Sequence, residues 1–512
     1  MARLRVPSLP RRAAGSAAAL LLLATAAGTV AGTAASAASA APAVPIPQDP
    51  APDAPAYTGA PATPRPLSAP RPPRHPFMAP NPRNNIHDDP YMTDTYRGPG
   101  PLGKDPASTS TFQNAECASV TFDDAGRLVT VCVGVSTVTL KLLDPVTLEQ
   151  LASYPLPPRR TSPGGGFNDF SGGGYFYLDH RDRAVVPTST NHLYVVEQTE
   201  VEGQPGFRLA RDYDLTPAIG TEDKIVSVIP DWAGRLVFVT KEGVVGAVRR
   251  GSGAIRLLDL DETIANSLAV DEDGGVYVVT AAALYRVDVT RAGRPQVTWR
   301  ERYANTGEQK PGQVSAGSGT TPTVMGRRWV TITDNADPMR VVVYRRGAGV
   351  RGDREVCSVP VFSRGSSATD NSLIVAGRRI VVTNNYGYSG PAAVEGGAVT
   401  TPGIERVDVD RDGQGCHKVW ANDTHRSPSS VPKLSLATGL VYTVLKDPVA
   451  QDETEDAWYL GAFDVRTGEL VYRVRYGTGL GFNVNYAPVT LGRDGTAYVG
   501  VLGGLVRIAD TR

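Results

Sequence analysis

Several residue types are scarce in this chain of 512 residues. It has four cysteines, five methionines and six histidines, and its 52 basic side chains equal its 52 acidic ones in number. A net charge of zero gives no extended basic field of the kind that holds nucleic acid or anionic lipid. We therefore expect no nucleic-acid partner.

Long apolar runs and familiar catalytic motifs are also missing. Beyond residue 30 no apolar stretch is long enough for a transmembrane helix, so we expect no membrane insertion. The chain has no G-x-S-x-G elbow, no H-E-x-x-H pair and no phosphate-binding glycine loop. Helical apolar periodicity is nearly absent while glycine and proline are abundant, which is typical of short strands joined by turns.

The first 40 residues have the composition of a secretion signal. Four arginines precede an apolar stretch over residues 17–30, and the small residues Ala38, Ser39 and Ala40 suit signal peptidase. We expect cleavage near Ala40 and a secreted, extracellular protein, with the twin-arginine route left open. Residues 41–75 are rich in proline and alanine without an apolar period, which predicts a disordered linker.

The four cysteines suit an oxidising compartment, where an even number forms disulfides. Cys117 and Cys132 lie on neighbouring strands of the first predicted hairpin, and Cys357 and Cys416 lie in consecutive later repeats. We favour the pairs 117–132 and 357–416, although the sequence leaves the other two connectivities open.

A strand–turn–strand pattern recurs eight times after residue 115. Its clearest copies are SLAVDEDGGVYVVT at 267–280 and PVTLGRDGTAYVGV at 488–501, and successive turns lie 40 to 65 residues apart. Each copy joins two β-prone runs through a turn that accepts positive φ. The spacing predicts an all-β fold, a single β-propeller over residues 115–512, with eight blades or, if one hairpin is an insertion, seven.

The last repeat has only three strands, and we expect an N-terminal strand to complete it. Residues 76–114 contain aromatics, methionines, amides and acids, so this segment is too apolar to remain free in solvent. We interpret it as an ordered arm that ends in the closing strand, near residues 103–114, because a closed ring leaves no free sheet edge.

One outer strand carries a second pattern. The segment AFDVRTGELVY at 462–472 resembles the A-x-D-x-x-T-G-x-x-x-W docking motif of pyrroloquinoline-quinone-type propellers, with Tyr472 in place of tryptophan. The resemblance implies that this aromatic residue fills the gap between blades. Quinoprotein dehydrogenases of this shape have two adjacent cysteines near the cofactor, and this chain has none, so we expect no quinone cofactor.

Loops that precede the first strand of a blade, or join its second and third strands, surround the funnel of a propeller, where ligands bind. Here these loops and the arm are rich in amides and acids. The candidate catalytic residues are His425, our first choice as general base, His87, Asp88, Asp370 and Asp334. The candidate ligand-binding residues are Asn168, Asn266, Asn335, Asn371, Asn384, Asn385, Tyr386, Lys446, Asn485 and Tyr486.

The segment DVDRDGQGC matches the start of a calcium loop. Asp408, Asp410 and Asp412 have the D-x-D-x-D spacing, but Val419 stands where the twelfth-position acid belongs. The segment is therefore either the site of one Ca²⁺ ion or a plain acidic turn.

These features predict a secreted enzyme, a hydrolase or lyase rather than a redox enzyme. It would act on a polar small molecule or saccharide at the funnel by acid–base or metal-assisted chemistry. The alternative is a non-catalytic extracellular binding or cell-wall-associated module, and the third hypothesis is a quinoprotein-type oxidoreductase. We expect a monomer.

Overall fold

The computed structural model describes residues 42–159, 172–450 and 452–511. The predicted signal peptide and Asn168 lie outside these ranges. Within them nearly all regular structure is β-strand, and no helix is long and apolar enough to cross a membrane.

Three strands precede the repeats, and blades one to four follow. The preceding strands are β1 (Tyr57–Gly59), β2 (Thr95–Tyr96) and β3 (Pro106–Phe112). Blades one and two consist of β4 (Glu116–Phe122), β5 (Leu128–Val133), β6 (Val138–Leu143), β7 (Gln150–Leu156), β8 (Tyr177–Leu178), β9 (Ala184–Pro187), β10 (His192–Val201) and β11 (Gln204–Asp214). After α1 (Thr216–Ile219), blades three and four consist of β12 (Ile225–Pro230), β13 (Leu236–Thr240), β14 (Val244–Val248), β15 (Ile255–Asp259), β16 (Ala269–Val270), β17 (Gly275–Val279), β18 (Ala283–Val289) and β19 (Pro295–Arg302).

Blades five to eight complete the chain. Blades five and six consist of β20 (Thr323–Met325), β21 (Trp329–Thr333), β22 (Arg340–Arg345), β23 (Glu355–Pro360), β24 (Ile374–Ala376), β25 (Arg379–Thr383), β26 (Ile404–Val409) and β27 (Cys416–Asn422). Blades seven and eight consist of β28 (Lys433–Ser435), β29 (Leu440–Leu445), β30 (Ala457–Asp464), β31 (Leu470–Thr478), β32 (Val489–Leu491), β33 (Ala497–Val501) and β34 (Gly504–Asp510). Short 3₁₀ turns lie at Pro391–Val394 and Leu480–Phe482.

The eight sheets form an eight-bladed β-propeller, as the repeat spacing predicts. The last blade contributes three strands of its own, and β3 pairs antiparallel with β34 as its outer strand, from Pro106 opposite Asp510 to Phe112 opposite Gly504. The predicted ring closure by a strand from the N-terminal side is confirmed.

A repeated aspartate turn explains why the first two strands of blades one to four form a hairpin. In blade four the carboxylate of Asp271 accepts hydrogen bonds from the backbone N–H groups of Asp273 and Gly275, at 3.0 and 2.8 Å. Gly274 takes φ +86°, which a residue with a Cβ rarely adopts. The strand that follows, Gly275–Val279, is buried throughout, and its valines and tyrosine pack into the core.

Both predicted disulfides are present. Cys117 is joined to Cys132 on the adjacent strand of blade one, and Cys357 on the outer strand of blade five is joined to Cys416 on the outer strand of blade six. The second bridge therefore connects the outer strands of two neighbouring blades.

Aromatic residues on outer strands dock neighbouring blades together. The Trp420 indole of blade six donates to the Val465 carbonyl of blade seven at 2.9 Å and lies over Gly468, where a Cβ would come within 2.4 Å of the ring. Trp299 of blade four likewise donates to the Arg346 carbonyl of blade five. Both residues sit where the docking motif places its tryptophan.

The structure differs from the predicted disordered linker. Residues 42–75 lie along the surface of the propeller. Strand β1 pairs with β31 as a fifth, outer strand of blade seven, and Ile46, Ala54 and Ala62 are buried. Proline lacks the N–H needed inside a sheet but suits an edge, so a proline-rich segment can cover an outer strand without an internal apolar period.

The arm lies inside the central channel, where it follows the free edges of the first strands. Carbonyl groups of arm residues 90–96 accept hydrogen bonds from backbone N–H groups of Val270, Val324, Val375, Leu434 and Leu436, which belong to blades four to seven. Val324, Val375 and Leu434 are the middle residues of three-residue first strands, and Val270 and Leu436 lie next to the tight hairpin turns, so the arm crosses the channel on that face.

Candidate functional site

A small cavity lies on the propeller axis, above the arm and at the start of the first strands. We call it the axial cavity. It is lined by Ile86, His87, Ala118, Ser119, Gly174, Tyr175, Asn266, Thr321, Asp370, Ser372, Val431, Asn485, Tyr486 and Pro488. The space open to the centres of water-sized molecules is about 50 Å³, enough for a few waters or the end of a larger polar ligand.

The arm brings His87 to the floor of this cavity with one ring nitrogen already engaged. His87 Nδ1 lies 3.1 Å from Asp94 Oδ1 and 3.0 Å from Ser372 Oγ, and Ser372 donates to Asp94 Oδ2 at 2.7 Å. An ionised Asp94 can only accept hydrogen bonds, so the hydrogen is assigned to His87 Nδ1. His87 Nε2 is then a free base, and it has no hydrogen-bond partner among the described residues.

Asp94 keeps its charge because of a buried lysine. Burial alone would raise the pKa of Asp94, but the charge of Lys433 and the hydrogen bonds from His87 and Lys433 outweigh burial and lower that pKa. Lys433, fully buried in the first strand of blade seven, places its ammonium 2.5 Å from Asp94 Oδ1 and 3.2 Å from Asp88 Oδ2, and it also donates to the Ile86 carbonyl. Burial raises the pKa of Asp88 well above its usual range.

Two further carboxyls near the axis favour their neutral forms. Burial raises the pKa of Asp370 well above its usual range; Asp370 Oδ2 accepts the N–H of Val314, while Oδ1 has no partner among the described residues. Burial also raises the pKa of Glu116 to about 8. Its Oε2 accepts a hydrogen bond from Asn485, and Asn485 lines the cavity. The site therefore combines an imidazole nitrogen that has no partner among the described residues with two carboxyls whose pKa values are raised by burial.

Other polar atoms around the axis lack partners within the described residues. Asn266 Oδ1 accepts a long hydrogen bond of 3.4 Å from the Tyr175 hydroxyl, but Asn266 Nδ2 has no acceptor. Asn371 Oδ1 and Ser430 Oγ are likewise buried without partners. Buried polar groups are nearly always satisfied, so these atoms indicate a place for water or ligand.

The structure places five of the predicted site residues in the axial cavity: His87, Asp370, Asn266, Asn485 and Tyr486. Asp88 lies below the floor beside Lys433, and Asn371 is next to Asp370, where its amide donates to Thr383 Oγ1 and the Ser430 carbonyl.

His425, our first choice as general base, is not in the cavity lining. Its Nδ1 lies 2.7 Å from Asp447 Oδ2, and Arg473 on the outer strand of blade seven reaches the same oxygen at 3.0 Å. The ring also packs edge-on against Phe463. The loop before blade seven therefore turns this histidine towards the body of the blade.

The remaining predicted residues stabilise loops instead of lining the cavity. Asn335, Asn384 and Asn385 donate to backbone carbonyls of neighbouring loops, and Lys446 is paired with Asp456 at 2.9 Å. Asp334 Oδ1 accepts two backbone N–H groups of its own loop, and burial raises its pKa to about 6. Tyr386 is half-buried and outside the lining. Asparagine and aspartate have this loop-closing role in many turns.

The acids of the predicted calcium loop do not converge. Arg406 holds both oxygens of Asp408, His417 contacts Asp410, and Asp412 accepts the N–H of Gln414. The segment is a blade-docking turn that leads to Trp420, and its aspartates fulfil that structural role.

In the described part of the chain, one cluster of three acidic residues is close enough together to hold a metal ion: Asp53, Asp452 and Glu455. Both Glu455 oxygens already accept backbone N–H groups of the N-terminal segment, from Asp53 and Ala54. The cluster thus attaches that segment to blade seven.

The axial cavity does not fit a quinone cofactor. Its space of about 50 Å³ is far below the several hundred Å³ of pockets that enclose drug-sized ligands, and its lining contains no cysteine.

Several residues of the site were missed from the sequence. Lys433 carried a signal, since a lysine within the apolar run VPKLSL is unusual for a strand on the channel. Ser372 and Tyr175 carried none, because only the path of the arm brings them to His87.

Comparison with known proteins gives no function. No known protein-family profile matches the chain. An uncharacterised protein of Archaeoglobus fulgidus is 30% identical over 328 residues, which cover 57% of this chain and 62% of that protein.

Two solved propellers illustrate the structural matches. BamB from Moraxella catarrhalis has 15% identity and a TM-score of 0.38 over 61% of this chain and 88% of its own. A streptogramin B lyase has 10% identity and a TM-score of 0.34 over 78% and 97%. At these values neither match bears on ligand or reaction.

Proposed function

We propose that the axial cavity binds a small polar molecule, or the end of a saccharide, and transforms it by general acid–base chemistry as a hydrolase or lyase. One observation carries the proposal: His87, a base oriented by Asp94, shares a cavity with Asp370, a carboxyl whose pKa is well above its usual range. Titratable groups with pKa values set apart by their surroundings are typical of acid–base pairs.

The two groups suit different steps. His87 Nε2 would accept a proton from a bound water or substrate hydroxyl, while Asp94 stabilises the imidazolium that forms. Asp370 Oδ1, buried and without a partner among the described residues, would donate a proton to the departing or eliminated oxygen. Asn266 and Asn485 would orient the ligand through their amides.

A second candidate is a non-catalytic binding site built from the same residues. It is favoured by the amide atoms of Asn266 and Asn371 that have no partner among the described residues, since such groups recognise hydroxyls without needing to move a proton. The two candidates differ in what happens to the bound ligand: an enzyme converts it to product, whereas a binding module releases it unchanged.

The test compares two histidines that have the same kind of partner. His87 and His425 each present Nδ1 to an aspartate, but only His87 lines the axial cavity. Wild type, His87→Gln and His425→Gln would be assayed against a panel of 4-nitrophenyl glycosides and short saccharides, by product release and by thermal shift.

We expect His87→Gln to lower turnover by about 100-fold or more, as for loss of a general base, and His425→Gln to leave it unchanged. Turnover should also fall as pH rises and Asp370 loses its proton, and Asp370→Asn should remove activity at every pH. Binding without turnover would favour the binding module. Activity lost in His425→Gln but kept in His87→Gln would contradict both candidates.

We also propose that the protein is exported, cleaved near Ala40 and monomeric. The two disulfides support an oxidising compartment. N-terminal sequencing of protein from the culture medium and light scattering would test these points.

A further inference from the structure

A second, larger cavity lies on the opposite face of the propeller, beside the hairpin turns of blades five and six. Its volume is about 600 Å³, within the range of pockets that enclose small organic ligands. Arm residues 91–97 form one wall, and residues 68–73 of the proline-rich segment form another. Val324, Met325, Val375 and Leu436 supply apolar surface.

The charge of this cavity is strongly one-sided. Six arginines line it, and we call it the basic cavity: Arg71, Arg97, Arg327, Arg328, Arg378 and Arg379. The single acid of the lining, Glu272, accepts a hydrogen bond from Tyr91 and pairs with Arg346 at 2.8 Å, and Arg327 of the cavity lies 3.8 Å from the same carboxylate. A chain with no net charge thus concentrates positive charge at one place.

The repeat itself shows that these arginines are unusual. In blades one to three the first hairpin turn places an aspartate four residues before an arginine, and the two form an ion pair: Asp123 with Arg127, Asp179 with Arg183, and Asp231 with Arg235. Blades five and six have the shorter turns MGRRW and AGRRI, with no aspartate and a second arginine. The internal carboxylate partner is therefore missing where the arginines are doubled.

The guanidinium groups of the basic cavity keep free donors. Arg71 and Arg379 donate no hydrogen bond to any residue in the described ranges. Arg97 and Arg378 each reach one backbone carbonyl, of Ala69 at 3.0 Å and Val409 at 2.7 Å. Arginine has five N–H donors in a planar fork that matches carboxylate and phosphate oxygens, so most of these donors remain available.

Neighbouring positive charges affect two of the six side chains. Burial, and then the charge of Arg71, lower the pKa of Arg97; burial and Arg406 lower that of Arg379. Positive charges that crowd one another are stabilised by a shared anion.

We propose that the basic cavity is a binding site for a small organic anion with two or more phosphate or carboxylate groups. The arginines of blades five and six would hold the anionic groups in bidentate contacts, and the apolar wall would contact the carbon body of the ligand. This site is separate from the axial cavity, because the arm fills the channel between them.

Isothermal titration calorimetry with inorganic triphosphate and with citrate as probes tests the proposal and separates phosphate from carboxylate. The variants are Arg378→Gln/Arg379→Gln and, as a matched control, Arg291→Gln/Arg294→Gln. The control removes two exposed arginines from the outer turn of blade four, outside the cavity lining. Thermal unfolding of every variant would establish that the fold is retained.

We expect 1:1 saturable binding of at least one probe, which is weakened about tenfold or more in the Arg378/Arg379 variant and less than about twofold in the control. Binding should weaken as salt rises from about 20 mM to about 150 mM. If the cavity variant unfolds, Arg71→Gln, which removes a side chain with no described partner, should give a smaller loss. Equal weakening in the control, or no saturable binding of either probe at low salt, would overturn the proposal.

Discussion

Lys433 makes three polar contacts with the arm, and its replacement by methionine gives a quantitative test of arm docking. Its ammonium is fully buried and bonded to Asp94, Asp88 and the Ile86 carbonyl, all in the arm. Methionine has a similar length and no charge, so it leaves two acids facing an apolar group. Breaking a buried ion pair by removal of one partner costs about 3–5 kcal/mol.

The assay is urea unfolding combined with hydrogen exchange of the first strands. The N–H groups of Val375, Leu434 and Leu436 donate to arm carbonyls, so their exchange rates report directly on arm docking. We expect Lys433→Met to lower the free energy of unfolding by about 3–5 kcal/mol and to speed exchange at these amides. The double variant Lys433→Met/Asp94→Asn should recover part of the loss, since the uncompensated carboxylate is gone.

Lys446→Met is a matched control. Lys446 is also buried, paired with Asp456 and packed over Trp458, but it touches no arm residue. It should lower the stability of blade seven without faster exchange at Val375. If Lys433→Met costs under about 1 kcal/mol and leaves exchange unchanged, the arm is not held by this ion cluster.

Two further predictions concern stability. Burial raises the pKa of Asp89 to about 7, so the folded state binds this proton more tightly than the unfolded chain does. The free energy of unfolding should therefore fall by on the order of 3–4 kcal/mol as pH rises from about 4 through about 7. In urea unfolding, the stability of Asp89→Asn should depend less on pH. Replacing Cys357 and Cys416 by serine opens a link across 59 residues and should lower the free energy of unfolding by about 4 kcal/mol. The same change at Cys117 and Cys132, a link across 15 residues, should lower it by about 3 kcal/mol. Equal losses in denaturant titration would contradict the loop-entropy argument.

The fold followed from the sequence because each blade repeats local chemistry. A glycine turn between two β-prone runs is decided within about fourteen residues, and Asp271 with Gly274 shows the mechanism. Ring closure by β3 also followed, since a blade with three strands needs a fourth.

The site followed only in part, because it depends on contacts between distant segments. His87 and Ser372 are 285 residues apart, and no local pattern shows that they meet. The preference for His425 assumed that a polar loop residue faces the funnel, whereas its aspartate partner turns it outward. The linker prediction failed for a related reason. Composition indicates whether a segment can form a core of its own, but residues 42–75 pack on a sheet edge that the propeller supplies.

A crystal structure at atomic resolution, grown near neutral pH and soaked with the small saccharides of the activity panel, tests the central claim most directly. We expect His87 on the channel axis, with Nδ1 towards Asp94 and with ordered water or ligand hydrogen-bonded to Nε2 in the cavity that Asp370 also lines. An arm outside the channel, or a His87 ring whose nitrogens both face protein groups above an empty cavity, would contradict it.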